Sequence, residues 1–185
     1  MIKKISPAKI NLYLKVIQKR DDGYHDIISL MQLITLYDEL IFSPHDGGIV
    51  LKCPQSDLPV DENNLVYRAA AAFYSRTGII PGIKITIHKH IPVGAGLGGG
   101  SSNAATTLAT LNEIHKTPLT KKELMQVGAT LGTDVPFFIF GKTAWASGRG
   151  ETLEEAPPLP PLWFVIINPG SVSYTHLTLP TTPYV

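Results

Sequence analysis

Apolar and polar residues alternate strictly in the first strand that the sequence predicts. One side carries Ile10, Leu12, Leu14 and Val16, and the other side carries Lys9, Asn11, Tyr13 and Lys15. A period of two is typical of a strand that is half-buried in a sheet. We therefore expect the apolar row to be buried and the row with Lys9 and Asn11 to be polar. The pair Asp22-Gly23 predicts the turn that ends this strand.

Further strands are predicted on both sides of a helix. Segments 27–37, 40–42 and "IVLKC" make the opening third rich in strands, which we expect to be antiparallel. Asn63 or Asn64 can cap a helix that runs to about Ser75 and ends at Gly78. The next segment, "GIKITIHKHI", alternates again and predicts a strand.

Two more helices follow a glycine-rich loop. Ala104, Leu108 and Leu111 recur at helical spacing after that loop. Pro118 interrupts the pattern, and a capping-box pair at Thr120 and Glu123 predicts a helix that ends at Gly132. "TDVPFFIFGKTAWASGRGE" is interpreted as a turn followed by extended segments, "EEAPPLPPL" as a linker, and "WFVIINPG" as a buried strand.

Composition narrows the class of protein. Of the 185 residues, 44% are hydrophobic and 17% are charged, which is typical of a globular protein. The formal net charge of +1 gives no electrostatic reason to expect nucleic acid or an anionic membrane as a partner. The only cysteine is Cys53, so we expect no internal disulfide and a reducing, cytoplasmic location. No signal peptide and no apolar run long enough to span a bilayer are apparent.

A metal site of the protein's own is not expected. His88 and His90 are two residues apart and would share a strand face. Zinc needs at least three protein ligands, and no third ligand is apparent.

The stretch "IPVGAGLGGGSSNAAT", residues 91–106, carries the main functional signal. Glycine loses the most backbone freedom on folding, so a cluster of glycines has to be justified by a ligand or a tight turn. At a junction between a strand and a helix, glycines let the backbone approach a ligand, and the first helical N–H groups attract phosphate. Ser101 and Ser102 add hydroxyl groups. We therefore interpret the stretch as a phosphate-binding loop.

Two common phosphate loops do not fit. The Walker pattern needs lysine directly after the last glycine, where Ser101 stands. Gly94, Gly96 and Gly99 satisfy the dinucleotide pattern G-x-G-x-x-G, and Glu113 lies near the expected position of a ribose-binding acid. The dinucleotide fold, however, needs a strand after the helix, and here a second helix follows. Its preceding strand would also be apolar on both faces, whereas this one alternates.

The motifs resemble those of the GHMP small-molecule kinases. "PVGAGLGGGSSNAA" is similar to their loop P-x-x-x-G-L-G-S-S-A, "SPAKINLYLKV" to their first motif, and "LGTDVPFFIFGKTAWASGRGE" to their third. The additional glycines and "RDDGYHDI" resemble the member that phosphorylates a cytidine diphosphate-linked methylerythritol. The resemblance covers about residues 5–170. It implies an α+β fold, the GHMP N-terminal domain of the ribosomal protein S5 domain 2-like type.

The resemblance also implies roles for single residues. Asp134 would be the catalytic base, and Lys9 would lie beside it, keep it ionised and offset phosphoryl charge. Asn64 would contact adenine, and Asn11, Tyr24 and His25 would bind the cytidyl substrate. ATP would enter with Mg²⁺, and its phosphates would lie on the loop residues Pro92, Val93, Gly94, Ala95, Gly96, Leu97, Gly98, Gly99, Gly100, Ser101 and Ser102. From the residues alone, Lys9 could equally be a surface lysine, and Asp134 a helix-capping aspartate.

The end of the chain departs from the family pattern. We expect residues 1–156 to form the ATP-binding domain and residues 157–170 to be a linker with the first strand of a truncated C-terminal domain. Residues 173–180 resemble the translation of a transposase adapter, so 171–185 is interpreted as an artefactual tail. This exact chain is therefore expected to be inactive or prone to aggregate. Two alternatives stay open: another GHMP kinase, acting on homoserine or mevalonate, and a non-catalytic nucleotide-binding module. The sequence does not predict the oligomeric state.

Overall fold

Six strands and four helices make up the part of the chain that the structure describes. The computed structural model describes residues 1–21, 23–116 and 119–168; Asp22, Pro118 and the tail 171–185 lie outside the described residues. In chain order the elements are β1 (Ile2–Lys19), β2 (His25–Pro44), β3 (Gly48–Lys52), α1 (Leu65–Thr77), β4 (Gly82–His88), α2 (Gly99–Ile114), α3 (Lys121–Leu131), α4 (Val135–Phe140), β5 (Ala144–Gly148) and β6 (Thr152–Glu155).

One mixed sheet contains all six strands, with β2 at its centre. β1 runs antiparallel along nearly all of β2, while β4 pairs with residues 39–44 of β2 and β5 with residues 27–31. β6 follows β5 as an antiparallel neighbour. β3 pairs with β4 in parallel, so the expectation of an entirely antiparallel opening third is wrong for β3. The reason is the crossover through α1, since strands joined by a helix return in the same direction.

The helices cover one face of the sheet and form the main core with it. Ile83, Ile85 and Ile87 of β4 are all at most 3% exposed, as the alternation predicted. They belong to one apolar cluster with Phe73 of α1 and Leu108 of α2. The helix caps also agree with the sequence: Asn64 caps α1, Gly78 ends it in the left-handed conformation, and Thr120 with Glu123 forms a capping box on α3. The α+β fold class is confirmed.

The predicted burial of the apolar row in β1 is wrong beyond Ile10. Leu14 and Val16 are 49% and 55% exposed. A β-bulge lies between Asn11 and Tyr13, because Asn11 pairs with Met31 and Tyr13 pairs with the adjacent Leu30. Paired residues share a face, so the bulge moves Leu14 and Val16 onto the face of Asn11. The alternation that the sequence shows is therefore not continuous in space.

The segment after Asp134 is a short helix, α4, and not the expected turn and extended chain. Pro136 lies in its first turn, where the missing N–H costs nothing, and Gly141 ends it with φ 72°. Val135 and Phe137 are fully buried. The extended segments begin only at β5.

The segment "WFVIIN" is not the buried strand that its composition predicts. Within described residues 156–168 no regular element is found. Trp163 is fully exposed, and Val165 and Ile167 are 91% and 84% exposed. Phe164 and Ile166 instead line a cavity of about 560 Å³ against the middle of β2. A strand needs a neighbour to complete its hydrogen bonds, and this segment pairs with none of the described strands.

Candidate functional site

The glycine-rich loop joins β4 to α2 in a conformation that glycine favours. Gly94, Gly96 and Gly98 have φ of 73°, 72° and 71°. Gly98 is the N-cap of α2, and the first bond of the helix runs from the N–H of Ser102 to the carbonyl of Gly98, at 2.9 Å. The N–H groups of residues 99–101 precede that bond and have no acceptor inside the helix. A helix start of this kind can bind an anion, which is the role that the sequence analysis expects of it.

A cleft of about 380 Å³ lies between this loop and the start of α1. Its wall contains residues 92–101 of the loop, with Leu58 and Leu65 adding apolar surface. Asn64 also lines the cleft, where its side chain accepts from the N–H of Val66 at 2.9 Å and donates to the carbonyl of Pro59 at 2.8 Å. Asn64 is thus fixed as a helix cap at the cleft wall. Both polar and apolar residues line the cleft, which is typical of a site for a small molecule.

Lys9 and Asp134 meet next to the loop although 125 residues of sequence separate them. The Nζ of Lys9 lies 3.5 Å from Oδ2 of Asp134 and donates to Oδ1 of Asn11 at 3.1 Å. The backbone N–H of Lys9 donates to the carbonyl of Leu97 at 2.9 Å, so β1 carries Lys9 against the loop. Asp134 is the N-cap of α4, but its side chain makes no capping bond. Lys9 is also buried, at 5% exposure, and is not a surface lysine.

The two serines of the loop have different surroundings. Ser102 is fully buried, and its Oγ accepts from Oγ of Ser6 at 2.8 Å. Ser101 lines the cleft, and its Oγ lies 3.9 Å from the position that a Cβ would take on Gly132, two residues before Asp134. The structure therefore presents Ser101 to the cleft, whereas Ser102 anchors α2 to β1.

A buried polar network behind the loop was not predicted from the sequence. Asp38, fully buried in β2, forms an ion pair with Lys89 and accepts from the side chain of Asn103 at 3.0 Å. Its other oxygen accepts the backbone N–H groups of His90 and Ile91 at 2.7 and 2.8 Å. The network ties β2, the entry to the loop and α2 together. The available signal in the sequence was the acidic pair Asp38-Glu39 between apolar residues of β2.

Tyr24 and His25 lie at the end of the β1–β2 hairpin, away from Lys9. His25 pairs with Lys19, whereas Met31 pairs with Asn11. Met31 lies six positions after His25 on β2, which is at most about 20 Å along a strand. Asn11 contacts Lys9 and lies apart from Tyr24 and His25, so the expected grouping of Asn11 with them is not seen. His25 shares the sheet face of Met31, because their positions differ by an even number.

An ion pair braces the hairpin end. Arg20 and Gln18 both donate to the carboxylate of Asp26, at 2.8 Å each. These hydrogen bonds, that from Arg20 above all, lower the pKa of Asp26 below its ordinary value. The brace fixes the strand ends beside His25.

The structure gives little support for a metal site or for a reactive cysteine. Among residues 1–21, 23–116 and 119–168 no cluster of three metal-ligating side chains occurs, and His88 and His90 have no further ligand there. Burial raises the pKa of the Cys53 thiol, which makes it a poor nucleophile. Within the same part of the chain, no helix has the length and apolar character needed to cross a membrane.

Gly98→Ala is expected to destabilise the fold by ~1–3 kcal/mol and to weaken, about tenfold or more, binding of the ATP that the family resemblance implies. The added methyl would lie 2.8 Å from the ring of Phe138 and 3.1 Å from Cγ of Lys9, at a φ that side chains rarely adopt. Calorimetric titration with ATP and thermal unfolding measure the two effects. Gly94→Ala is the matched control, because its φ is similar but nothing lies within 4 Å. Equal losses in both variants would contradict the proposed clash.

Comparison with known proteins agrees with this geometry. Residues 64–142 match the family described as "GHMP kinases N terminal domain". The chain is 54% identical over 170 residues to the 4-diphosphocytidyl-2-C-methyl-D-erythritol kinase of Syntrophus aciditrophicus, covering 92% of this chain and 61% of the relative. It is 49% identical over 166 residues to the enzyme of the same name from Geobacter metallireducens, covering 89% and 59%. The chain thus spans about three fifths of the length of these relatives.

Solved structures give the same answer for the fold. A crystal structure of 4-(cytidine 5'-diphospho)-2C-methyl-D-erythritol kinase matches with a TM-score of 0.73 and 39% identity, covering 84% of this chain and 55% of that one. The mevalonate kinase of Methanococcus jannaschii matches with a TM-score of 0.65 and 15% identity, covering 85% and 56%. At 15% identity the second likeness shows the fold alone.

Proposed function

We propose that the chain, whose residues 64–142 match the GHMP kinase N-terminal domain, binds ATP and directs its γ-phosphoryl group to the 2-hydroxyl of 4-diphosphocytidyl-2-C-methyl-D-erythritol. The product would be an intermediate of the non-mevalonate route to isoprenoid precursors. One observation carries the proposal: the Lys9–Asp134 pair lies beside a glycine loop that begins a helix. We further propose that residues 1–156 are the ATP-binding and catalytic domain and that the protein works in the cytoplasm.

Asp134 is the proposed base. Its carboxylate is 29% exposed and makes no capping bond, so it is available to a substrate hydroxyl. An ordinary carboxylate is too weak to deprotonate an alcohol in advance. It would orient the hydroxyl and accept its proton late, while the new bond to phosphorus forms.

Lys9 is proposed to provide the positive charge beside Asp134 and the transferring phosphoryl group. Its ammonium group is almost completely buried and lies 3.5 Å from the carboxylate of Asp134, so the two opposite charges attract each other. The same charge would offset the negative charge that develops on the transferring phosphoryl group. Asn11 accepts from Lys9 and fixes the direction of the amine.

The loop would hold the triphosphate of ATP. Residues 99–101, whose N–H groups have no acceptor inside the helix, line the cleft together with Asn64. The side chains fit Mg²⁺ only as a companion of the phosphates, because the described residues contain no ligand cluster and Ser102 is buried. When bound, Mg²⁺ would neutralise phosphate charge, and Ser101 and Asp134 would be the candidate side chains to hold it.

The cytidyl end of the substrate is proposed to lie at Tyr24 and His25. Tyr24 is 52% exposed, so its ring can stack on a planar base, and imidazole can hydrogen-bond it. Their distance from Asn11 requires a long substrate, and a cytidine diphosphate ester is long. Homoserine and mevalonate would leave this end of the hairpin unused, which makes another GHMP kinase activity the weaker candidate.

The test is an assay of a completed chain, meaning residues 1–168 joined to the part of the Syntrophus aciditrophicus relative that the chain does not match. We expect ADP release that depends on the cytidyl substrate and not on homoserine or mevalonate. The 185-residue chain, assayed beside it, is expected to bind ATP without normal turnover. ATP binding without turnover on any of these alcohols in the completed chain would instead support a non-catalytic module.

A further inference from the structure

The turn between β5 and β6 crosses the sheet face that runs from His25 to Asn11. A Cβ built on Gly150 would lie 3.8 Å from Cδ1 of Ile27 and 4.0 Å from Cε of Met31. Ile27 is two residues from His25 on β2, and Met31 pairs with Asn11. A substrate that extends from the hairpin end to Lys9 therefore has to pass this turn.

Arg149 lies on that turn and packs on Tyr24. Its guanidinium carbon is 5.1 Å from the centroid of the Tyr24 ring. The turn is shaped independently of this contact: Gly148 and Gly150 have φ of 69° and 111°, and the backbone N–H of Arg149 donates to Oε2 of Glu151 at 2.7 Å. The turn itself therefore fixes the backbone position of Arg149, and the guanidinium group packs on the ring of Tyr24.

We propose that Arg149 is a specificity-determining residue that recognises the nucleoside diphosphate part of the substrate. The proposal rests on the function proposed above and adds a residue to it. The guanidinium group packs on the ring of Tyr24, the ring on which the base is proposed to stack. Its charge then lies where the diphosphate follows the base on the way to Lys9.

The charges on this part of the surface favour Arg149 for that role. The diphosphate is strongly anionic, and one guanidinium group can bind two phosphate oxygens through two parallel N–H donors. Arg20, the neighbouring arginine, is 2.8 Å from Asp26 and is used to brace the hairpin. Within the described part of the chain, the ion-pair contact of Arg149 is a long one to Glu151, 3.9 Å from Nε to Oε1, and its side chain is 40% exposed. It can therefore turn to a phosphate without breaking a short ion pair.

The experiment measures binding of cytidine 5'-diphosphate and of cytidine to the 185-residue chain by calorimetry. The variants are Arg149→Ala, Arg149→Lys and Tyr24→Ala, with Arg68→Ala on the exposed side of α1 as the matched control. We expect Arg149→Ala to weaken binding of cytidine 5'-diphosphate about tenfold and binding of cytidine only about two- to threefold. Arg149→Lys should restore part of the diphosphate affinity, since it keeps the charge but loses the planar contact. Added salt should reduce the difference between the unchanged chain and Arg149→Ala.

The ratio of the affinities for cytidine 5'-diphosphate and cytidine separates recognition of the diphosphate from a structural effect. A disordered hairpin would lower both affinities equally. An equal loss for both ligands, or no loss in Arg149→Ala, overturns the proposal. If Tyr24→Ala weakens binding while Arg149→Ala does not, the proposed function stands and only the role of Arg149 fails. If neither variant changes the affinity, or the unchanged chain binds no cytidine diphosphate, the cytidyl subsite of the proposed function fails as well.

Discussion

Asp134→Asn is expected to lower kcat of the completed chain by about 10²–10⁴-fold, while the dissociation constant of ATP changes little. Asparagine has nearly the same shape but cannot accept the proton of the substrate hydroxyl. Because Asp134 makes no capping bond, the change should not disturb α4. Steady-state kinetics give kcat, and titration with ATP gives the affinity.

The matched control for this change is Asp46→Asn, an exposed aspartate in the turn between β2 and β3, which should leave both quantities unchanged. Lys9→Met should also lower kcat, since it removes the charge beside the carboxylate. A normal kcat in Asp134→Asn would refute the proposed base. A loss of ATP affinity as large as the loss of kcat would instead show that Asp134 acts in binding.

Local chemistry explains which parts of the fold could be predicted from the sequence. The caps at Asn64 and Thr120, the alternation in β4 and the glycine loop all depend on neighbours within a few residues. The meeting of Lys9 with Asp134 was expected only because the motifs resembled those of a family. Residue patterns alone would have assigned Lys9 to the surface, where it does not lie.

The features that were not predicted depend on contacts between residues far apart in the sequence, which a local sequence pattern does not contain. The bulge after Asn11 changes which face Leu14 occupies, and it is set by pairing with β2, not by residues in β1. The burial expected for Val165 needed a neighbouring strand, and none of the described strands supplies one. Asp38 and Lys89 are 51 residues apart, and nothing near either residue indicates that the other neutralises it.

Asp38→Asn is expected to destabilise the chain by ~3–5 kcal/mol, because it leaves the buried ammonium of Lys89 without a counter-charge. The side chains of Lys89 and Asp38 are 9% and 0% exposed, so water cannot replace the lost partner. For a chain of this size, that corresponds to a fall in Tm of about 6–20 °C. ATP affinity should fall too, since Asp38 holds the N–H groups of His90 and Ile91 at the entry to the glycine loop. Urea unfolding and calorimetric titration measure the two effects.

Two comparisons decide whether the loss comes from the unpaired charge. The double variant Asp38→Asn/Lys89→Met removes both charges and should be more stable than Asp38→Asn alone, since asparagine can still accept from His90 and Ile91. Glu155→Gln breaks the ion pair with Lys142, whose side chains are 57% and 56% exposed, and should change stability little. If Asp38→Asn were as mild as Glu155→Gln, the pair behind the loop would be solvated in solution. The loop would then need another explanation for its fixed position, because its entry is held by the same carboxylate that neutralises Lys89.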